Sequence, residues 1–287
     1  MKLFTKIALG IAGFFASVAV ICAVIAFASG FTWTDFQTMV RDGKFNIGPE
    51  DGLQIHLLGE NDIDIDIDFG KKHHEDGQHY EVQEITGKCT KIDLEYGAGK
   101  LEIYYTNTAH ITVEQDGVTG FSMEQEGDTL CIEGGLTVTG SSDASLIICI
   151  PEGMTFKEVD LEVGASVADI ADLCADNISI TVGAGQATIS NIQADTMELE
   201  VGAGQAVVKN LLVEELDVEA GVGEVDIEIA GAEKDYNYNI ECGIGDVNVG
   251  KKSYGGLGAE QTVSNPGATK QMDIECGIGE VIIKFIE

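Results

Sequence analysis

Basic side chains are scarce in this 287-residue chain, which carries 16 Lys plus Arg against 49 Asp plus Glu. Lys2 and Lys6 precede every acid, so beyond residue 31 the balance is 14 basic to 49 acidic residues, a net charge of −35. A surface of that sign repels nucleic acid and anionic lipid headgroups within the Debye length, and attracts cations and basic peptides. Nucleic-acid binding is therefore excluded. Histidine is rare as well, and all five copies lie before residue 111. The remaining chain lacks the usual general base, and no Ser, His or Cys sits in a local signature of nucleophilic catalysis. No enzyme active site and no cofactor or metal site is expected. A disulfide framework is missing too, because Cys89, Cys131, Cys149 and Cys174 sit in apolar strand contexts. Ile21 precedes Cys22 where a lipoprotein signal requires a small residue, which excludes lipidation there.

What is present begins with one long apolar run. Residues 7–31, IALGIAGFFASVAVICAVIAFASGF, are 25 without a charge, enough at about 1.5 Å per residue to exceed a ~30 Å hydrocarbon core. Lys2 and Lys6 on one side and Asp35 on the other predict a single span with the N-terminus cytoplasmic and the C-terminal body extracellular. The run is longer than a signal-peptide core, which favours an uncleaved anchor. Ala26-Phe27-Ala28 has the small-x-small form of a cleavage site and is the alternative; both deliver the body outside.

The body is repetitive. YGAGK at Tyr96, VGASV at Val163, VGAGQ at Val182 and Val201, AGVGE at Ala220, CGIGD at Cys242 and CGIGE at Cys276 place first glycines at Gly97, Gly164, Gly183, Gly202, Gly221, Gly243 and Gly277. The four central copies keep a constant period of 19 residues. Apolar residues alternate on both sides of each corner, as in Met197, Leu199, Val201 and then Ala206, Val208, which is the period of a half-buried strand. Each repeat reads as strand, Gly-x-Gly corner, strand, the glycines permitting positive φ or close backbone approach. One such unit cannot bury its own apolar row, so stacking is required. The predicted fold is all-β, a parallel β-solenoid of 19-residue coils. A sandwich of hairpins is the alternative, disfavoured because the repeats lack Asn-Gly or Asp-Gly turns.

The predicted organisation is a cytoplasmic tip and anchor over 1–31, a juxtamembrane stalk and entry strand over 32–84, and the solenoid over 85–287. Between Gly97 and Gly164 lie 67 residues, about three and a half periods, including ITVEQDG, GDTLCIEGG and SLIICIPEG. These are expected to be strands of coils whose glycine corner has been lost or replaced. NDIDIDIDFG from Asn61 reads as a strand with one acidic face.

GDTLCIEGG, SLIICIPEG and the VGAGQA-type corners, spanning roughly Ile85 to Glu287, resemble the bacterial adhesin-like β-strand-repeat family, long known as a domain of unknown function. The resemblance implies a membrane-anchored or secreted Firmicute protein, in some cases tied to envelope-stress systems. It supplies no catalytic residues to carry over.

The candidate site is a pair of outward columns. One holds Glu95, Glu162, Thr181, Glu200, Glu219, Glu241 and Glu275; its neighbour holds Asp93, Asp160, Ser179, Glu198, Asp217, Asn239 and Asp273. From these, Glu95, Glu162, Glu198, Glu200, Asp217, Glu219, Glu241 and Glu275 form the candidate acidic binding face. Stacked ~4.8 Å apart, unscreened carboxylates repel by about 1 kcal/mol per pair even in water. The face either keeps the protein solvated or binds an extracellular protein, a cationic peptide or a cell-wall component. An accessory role in envelope-stress signalling through cationic peptides is the alternative reading.

Other constellations are weaker. The residue after the corner is Lys100, Val167, Gln186, Gln205, Glu224, Asp246 or Glu280, which lacks the aspartate set of calcium β-rolls. His73, His74 and His79 match no metal-ligand spacing and read as a solvated loop. Gly202-Ala203-Gly204 lacks the third glycine of a dinucleotide fingerprint, Val207 standing in its place. Cys242 and Cys276 occupy equivalent inward positions and read as buried free thiols.

Overall fold

The computed structural model describes residues 44–47, 53–58, 62–67, 81–135, 144–255 and 257–286. The expected spanning helix over 7–31, Cys22 and the His73, His74 and His79 loop lie outside the described residues. The chain divides into two compact units, Met1–His74 and Glu75–Glu287. In the first, Lys44–Ile47, Leu53–Leu58 and Asp62–Ile67 pair antiparallel in chain order. The acidic-aliphatic segment of the sequence is thus a strand.

In the second unit the described residues are almost all β, and the 19-residue period becomes a hydrogen-bonding register. Ile178 pairs with Met197 and Met197 with Leu216, in parallel. Each turn has two faces, one built before the glycine corner and one after it. On the post-corner face Ala168, Ala187 and Ala206 stack, as do Ile170, Ile189 and Val208. The alternating apolar residues of both faces point inward and pack into one core. A single turn contributes Met197, Leu199, Val201, Ala206, Val208, Leu211 and Val213, all buried, at about 1.5–3 kcal/mol for each large aliphatic side chain.

The glycine corners exist because backbones meet there. A Cβ on Gly185 would collide with the Ser166 carbonyl oxygen, and one on Gly204 with that of Gly185. Close approach, not positive φ, is the requirement at these two positions.

A second corner closes the turns headed by Gly164, Gly183 and Gly202. Asp172, Asn191 and Asn210 adopt φ of 59°, 55° and 56°, a left-handed conformation that Asn and Asp tolerate best among residues with a Cβ. Their side chains form a ladder: Asn191 Nδ2 donates to Asp172 Oδ1 at 2.9 Å, and Asn210 Nδ2 to Asn191 Oδ1 at 2.9 Å. Leu173, Ile192 and Leu211 follow directly and are buried. The strand-corner-strand reading therefore lacked the second corner of these three turns.

The stack does not follow chain order. Written by corner, it runs Gly97, Gly164, Gly183, Gly202, Gly221, Gly277, Gly243. Lys270–Cys276 pairs on one edge with Glu215–Ala220 and on the other with Tyr236–Cys242. Glu280–Ile286 likewise lies between Glu224–Ala230 and Asp246–Val249. The last repeat in sequence is thus next to last in space. Lys270 pins it: its Nζ donates to Val213 O at 2.9 Å, pairs with Glu214 at 3.3 Å and lies 5.2 Å over the Tyr236 ring.

The other end repeats the device. Thr129–Gly134 and Ser145–Pro151 stack in parallel on the outer side of Lys91–Thr106, which Phe156–Ala171 meets on its inner side. The interval between Gly97 and Gly164 therefore holds one turn without a Gly-x-Gly corner; its remaining described strands are caps. Ser122–Glu126, Ile111–Asp116 and Glu81–Ile85 close this end antiparallel. Ala259–Val263 and Lys252–Ser253 close the opposite one. Antiparallel covering strands stop the parallel ladder from propagating into a neighbouring molecule.

Candidate functional site

The two outward columns lie side by side on the pre-corner face. In spatial order the first reads Glu133, Glu95, Glu162, Thr181, Glu200, Glu219, Glu275, Glu241, Glu260. Eight of these nine stacked positions carry a carboxylate. The second reads Cys131, Asp93, Asp160, Ser179, Glu198, Asp217, Asp273, Asn239, Thr262 in the same strands.

All eight residues of the expected acidic face are brought onto this surface, with one change of neighbour. Glu219 abuts Glu275, and Glu241 lies beyond it. Glu133 and Glu260 extend the column at its ends; neither belongs to a Gly-x-Gly repeat, so only the register reveals them. A third outward column, Lys91, Glu158, Asn177, Thr196, Glu215, Gln271, Asn237, runs alongside. There Lys91 pairs with Glu158, and Thr196 Oγ1 donates to Asn177 Oδ1.

The electrostatics are those of stacked like charges. None of the six ion pairs among the described residues involves a member of the two acidic columns. Partial burial, then the carboxylates of Glu219, Glu241, Asp217 and Asp273, push the Glu275 carboxyl up to about 7. Burial, then Glu219, Asp273 and Glu198, push Asp217 up to about 6. Glu200, Glu219 and Asp160 are raised by the same two causes. Polar neighbours relieve part of the repulsion: Ser179 hydrogen-bonds Asp160, and Asn239 Nδ2 donates to Asp273 Oδ1 at 2.8 Å. A shallow groove of about 530 Å³ runs across these strands, lined by Asp160, Asn177, Thr196, Glu198, Asp217 and Asp273. Such a surface favours cations, and amide and hydroxyl groups beside it can accept and donate hydrogen bonds.

Gly97, Gly164, Gly183, Gly202, Gly221, Gly243 and Gly277 form the backbone ridge beside the Glu column, each successive amide donating to the preceding turn from Gly183 onward. Among the described residues no cluster of His, Cys, Asp and Glu has the arrangement of a metal site.

Residues 191–250 match the family model of the N-terminal domain of toast_rack, DUF2154. That stretch contains the Gly202, Gly221 and Gly243 corners. Among solved structures, the chain is similar to a putative cell adhesion protein from Clostridium sporogenes, at 16% identity over 73% of this chain and 100% of that one, with a TM-score of 0.40. It is similar to a putative adhesin from Bacteroides fragilis, at 13% identity over 73% and 98%, TM-score 0.39. A putative lipid binding protein from Parabacteroides distasonis shares 12% identity over 74% and 98%, TM-score 0.29. None of the curated proteins matches. The family match falls within the repeat region, on the corners that the sequence motifs singled out.

Proposed function

We propose that the chain is a non-enzymatic, membrane-tethered extracellular binding protein, a β-solenoid whose acidic ladder takes up basic peptide segments. Residues 7–31 are the single-span anchor, with the N-terminus cytoplasmic and the solenoid outside. One observation carries the reading: eight carboxylates stacked over nine consecutive strands, with no ion pair to any of them among the described residues. An extended cationic chain laid across the strands meets a carboxylate about every 4.8 Å. The interaction is electrostatic, so it weakens as salt rises.

The test is titration of the full-length chain, in detergent micelles, with an oligolysine peptide at low and physiological ionic strength. Glu200→Lys, Glu219→Lys and Glu275→Lys are introduced together, since these three are adjacent in space. Binding at low salt that the triple reversal abolishes is expected. Binding that survives the reversal places the site elsewhere, and absence of binding at both ionic strengths leaves the ladder as a solvated face.

A further inference from the structure

Cys242 and Cys276 are register partners on neighbouring parallel strands, Tyr236–Cys242 and Lys270–Cys276. Strand neighbours lie about 4.8 Å apart, inside the roughly 4.4–6.8 Å window between Cα atoms that a disulfide spans. No other described cysteine has such a partner. Cys131 faces Asp93 and Glu124, Cys149 faces Tyr104 and Thr112, and Cys174 faces Gln193.

Both thiols point inward at equivalent glycine corners of neighbouring turns. Cys242 Sγ donates to Gly245 O at 2.9 Å, and Cys276 Sγ to Gly279 O at 3.2 Å. Cys276 Sγ also reaches 4.0 Å from Asp246 O, on the turn that carries Cys242. Parallel side-chain vectors suit a disulfide torsion poorly, so one thiol must rotate, and the column makes room for that. It reads Tyr96, Val163, Val182, Val201 and then Ala220, Cys276, Cys242, Ala259. The large residues end just where the thiols begin, and alanine flanks the pair on both sides.

We infer that Cys242 and Cys276 form a reversible disulfide that fastens the inserted C-terminal turn into the stack. The oxidant is a low-molecular-weight disulfide. The thiolate of one cysteine attacks it, forming a mixed disulfide and releasing one small thiol. The thiolate of the other cysteine attacks the protein sulfur of that bond, forming the Cys242–Cys276 bond and releasing the second small thiol. Two electrons pass from the two protein thiols to the oxidant, and their protons leave on the two released thiols. Burial pushes the Cys276 thiol up to about 12, so exchange runs through transient opening of this end. Terminal units of a one-dimensional stack open most readily. The bond closes a loop over residues 243–275, which includes the covering strands Lys252–Ser253 and Ala259–Val263.

The experiment equilibrates the full-length chain with oxidised or reduced glutathione, followed by alkylation and peptide mapping. A Cys242–Cys276 cross-linked peptide is expected only in the oxidised sample. Amide exchange over 270–286 slows, and the thermal midpoint rises by about 5 °C. Cys242→Ala and Cys276→Ala each abolish these gains, whereas Cys131→Ala and Cys174→Ala keep them. Recovery of both residues as free thiols or glutathione adducts after equilibration overturns the inference. A cross-link that leaves exchange over 270–286 unchanged refutes the fastening role.

Discussion

Replacing Glu275 by Gln tests whether the acidic ladder is held under repulsion. Glu275 is half-buried between Glu219 and Glu241, with Asp273 two residues before it on the same strand and Asp217 diagonal to it, and its carboxyl is displaced from the usual 4.5 to about 7. An acid harder to ionise in the folded than in the unfolded chain costs stability wherever the unfolded form is ionised. The cost is complete above pH 7 and vanishes below pH 4.5, so stability rises as the solution is acidified from pH 8. The displacement corresponds to about 3 kcal/mol at face value. Solvent screening of this partly exposed group reduces it to about 1 kcal/mol. The substituted amide carries no charge at any pH. The variant is therefore expected to be about 1 kcal/mol more stable than the parent at pH 8. The two should match at pH 4.5, where the parent is protonated. Urea unfolding at pH 8, 6 and 4.5 in low salt measures this, with unchanged m-values as the check on two-state behaviour. A Gln variant less stable than the parent at pH 8 would show the carboxylate to be favourably engaged, and the picture of a strained ladder would be wrong.

Two substitutions address the corners. Gly204→Ala drives a methyl group into the Gly185 carbonyl oxygen and is expected to cost about 3 kcal/mol in denaturant unfolding, although Ala suits a strand no worse than Gly. Asn191→Ala loses the ladder bonds to Asp172 and Asn210 and strains a backbone with φ of 55°, for an expected loss of about 2 kcal/mol. Asn191→Gly removes the same bonds without the strain and should recover about half of it; equal losses would show that the conformation plays no part.

The central turns were legible because two signals coincide there. A fixed period of 19 residues sets the register, and strict alternation sets which side chains point inward, so the sequence alone stacks Met197, Leu199 and Val201 on Leu216, Val218 and Ala220. The second corner was less visible, since Asp172, Asn191 and Asn210 sit in polar stretches that suit any surface loop. Their common spacing, each followed by a buried aliphatic residue, was the available sign. The order of the outer turns left a fainter trace. Gly243 and Gly277 head motifs as regular as the central ones, and only the lengthened intervals before them indicate an excursion. That misplacement put Glu241 beside Glu219 in the sequence reading, where the structure puts Glu275. Glu133 and Glu260 could not be found from repeats, because they join the column through strands that are not repeats.

Insertion at the ends also bears on how such a chain is made and how it can lengthen. The segment Lys270–Ile286 leaves the ribosome after both of the turns between which it belongs. Tyr236–Val249 therefore has no seat in the stack until Lys270–Ile286 has been made, and this end closes only after that. Duplication of a 19-residue unit is harmless within the run from Gly164 to Gly221, where each turn rests on the one before it in sequence. Beyond that run an added unit would compete with the closing segment for its place. Evolution can thus change the number of stacked turns from the middle while both ends stay the same.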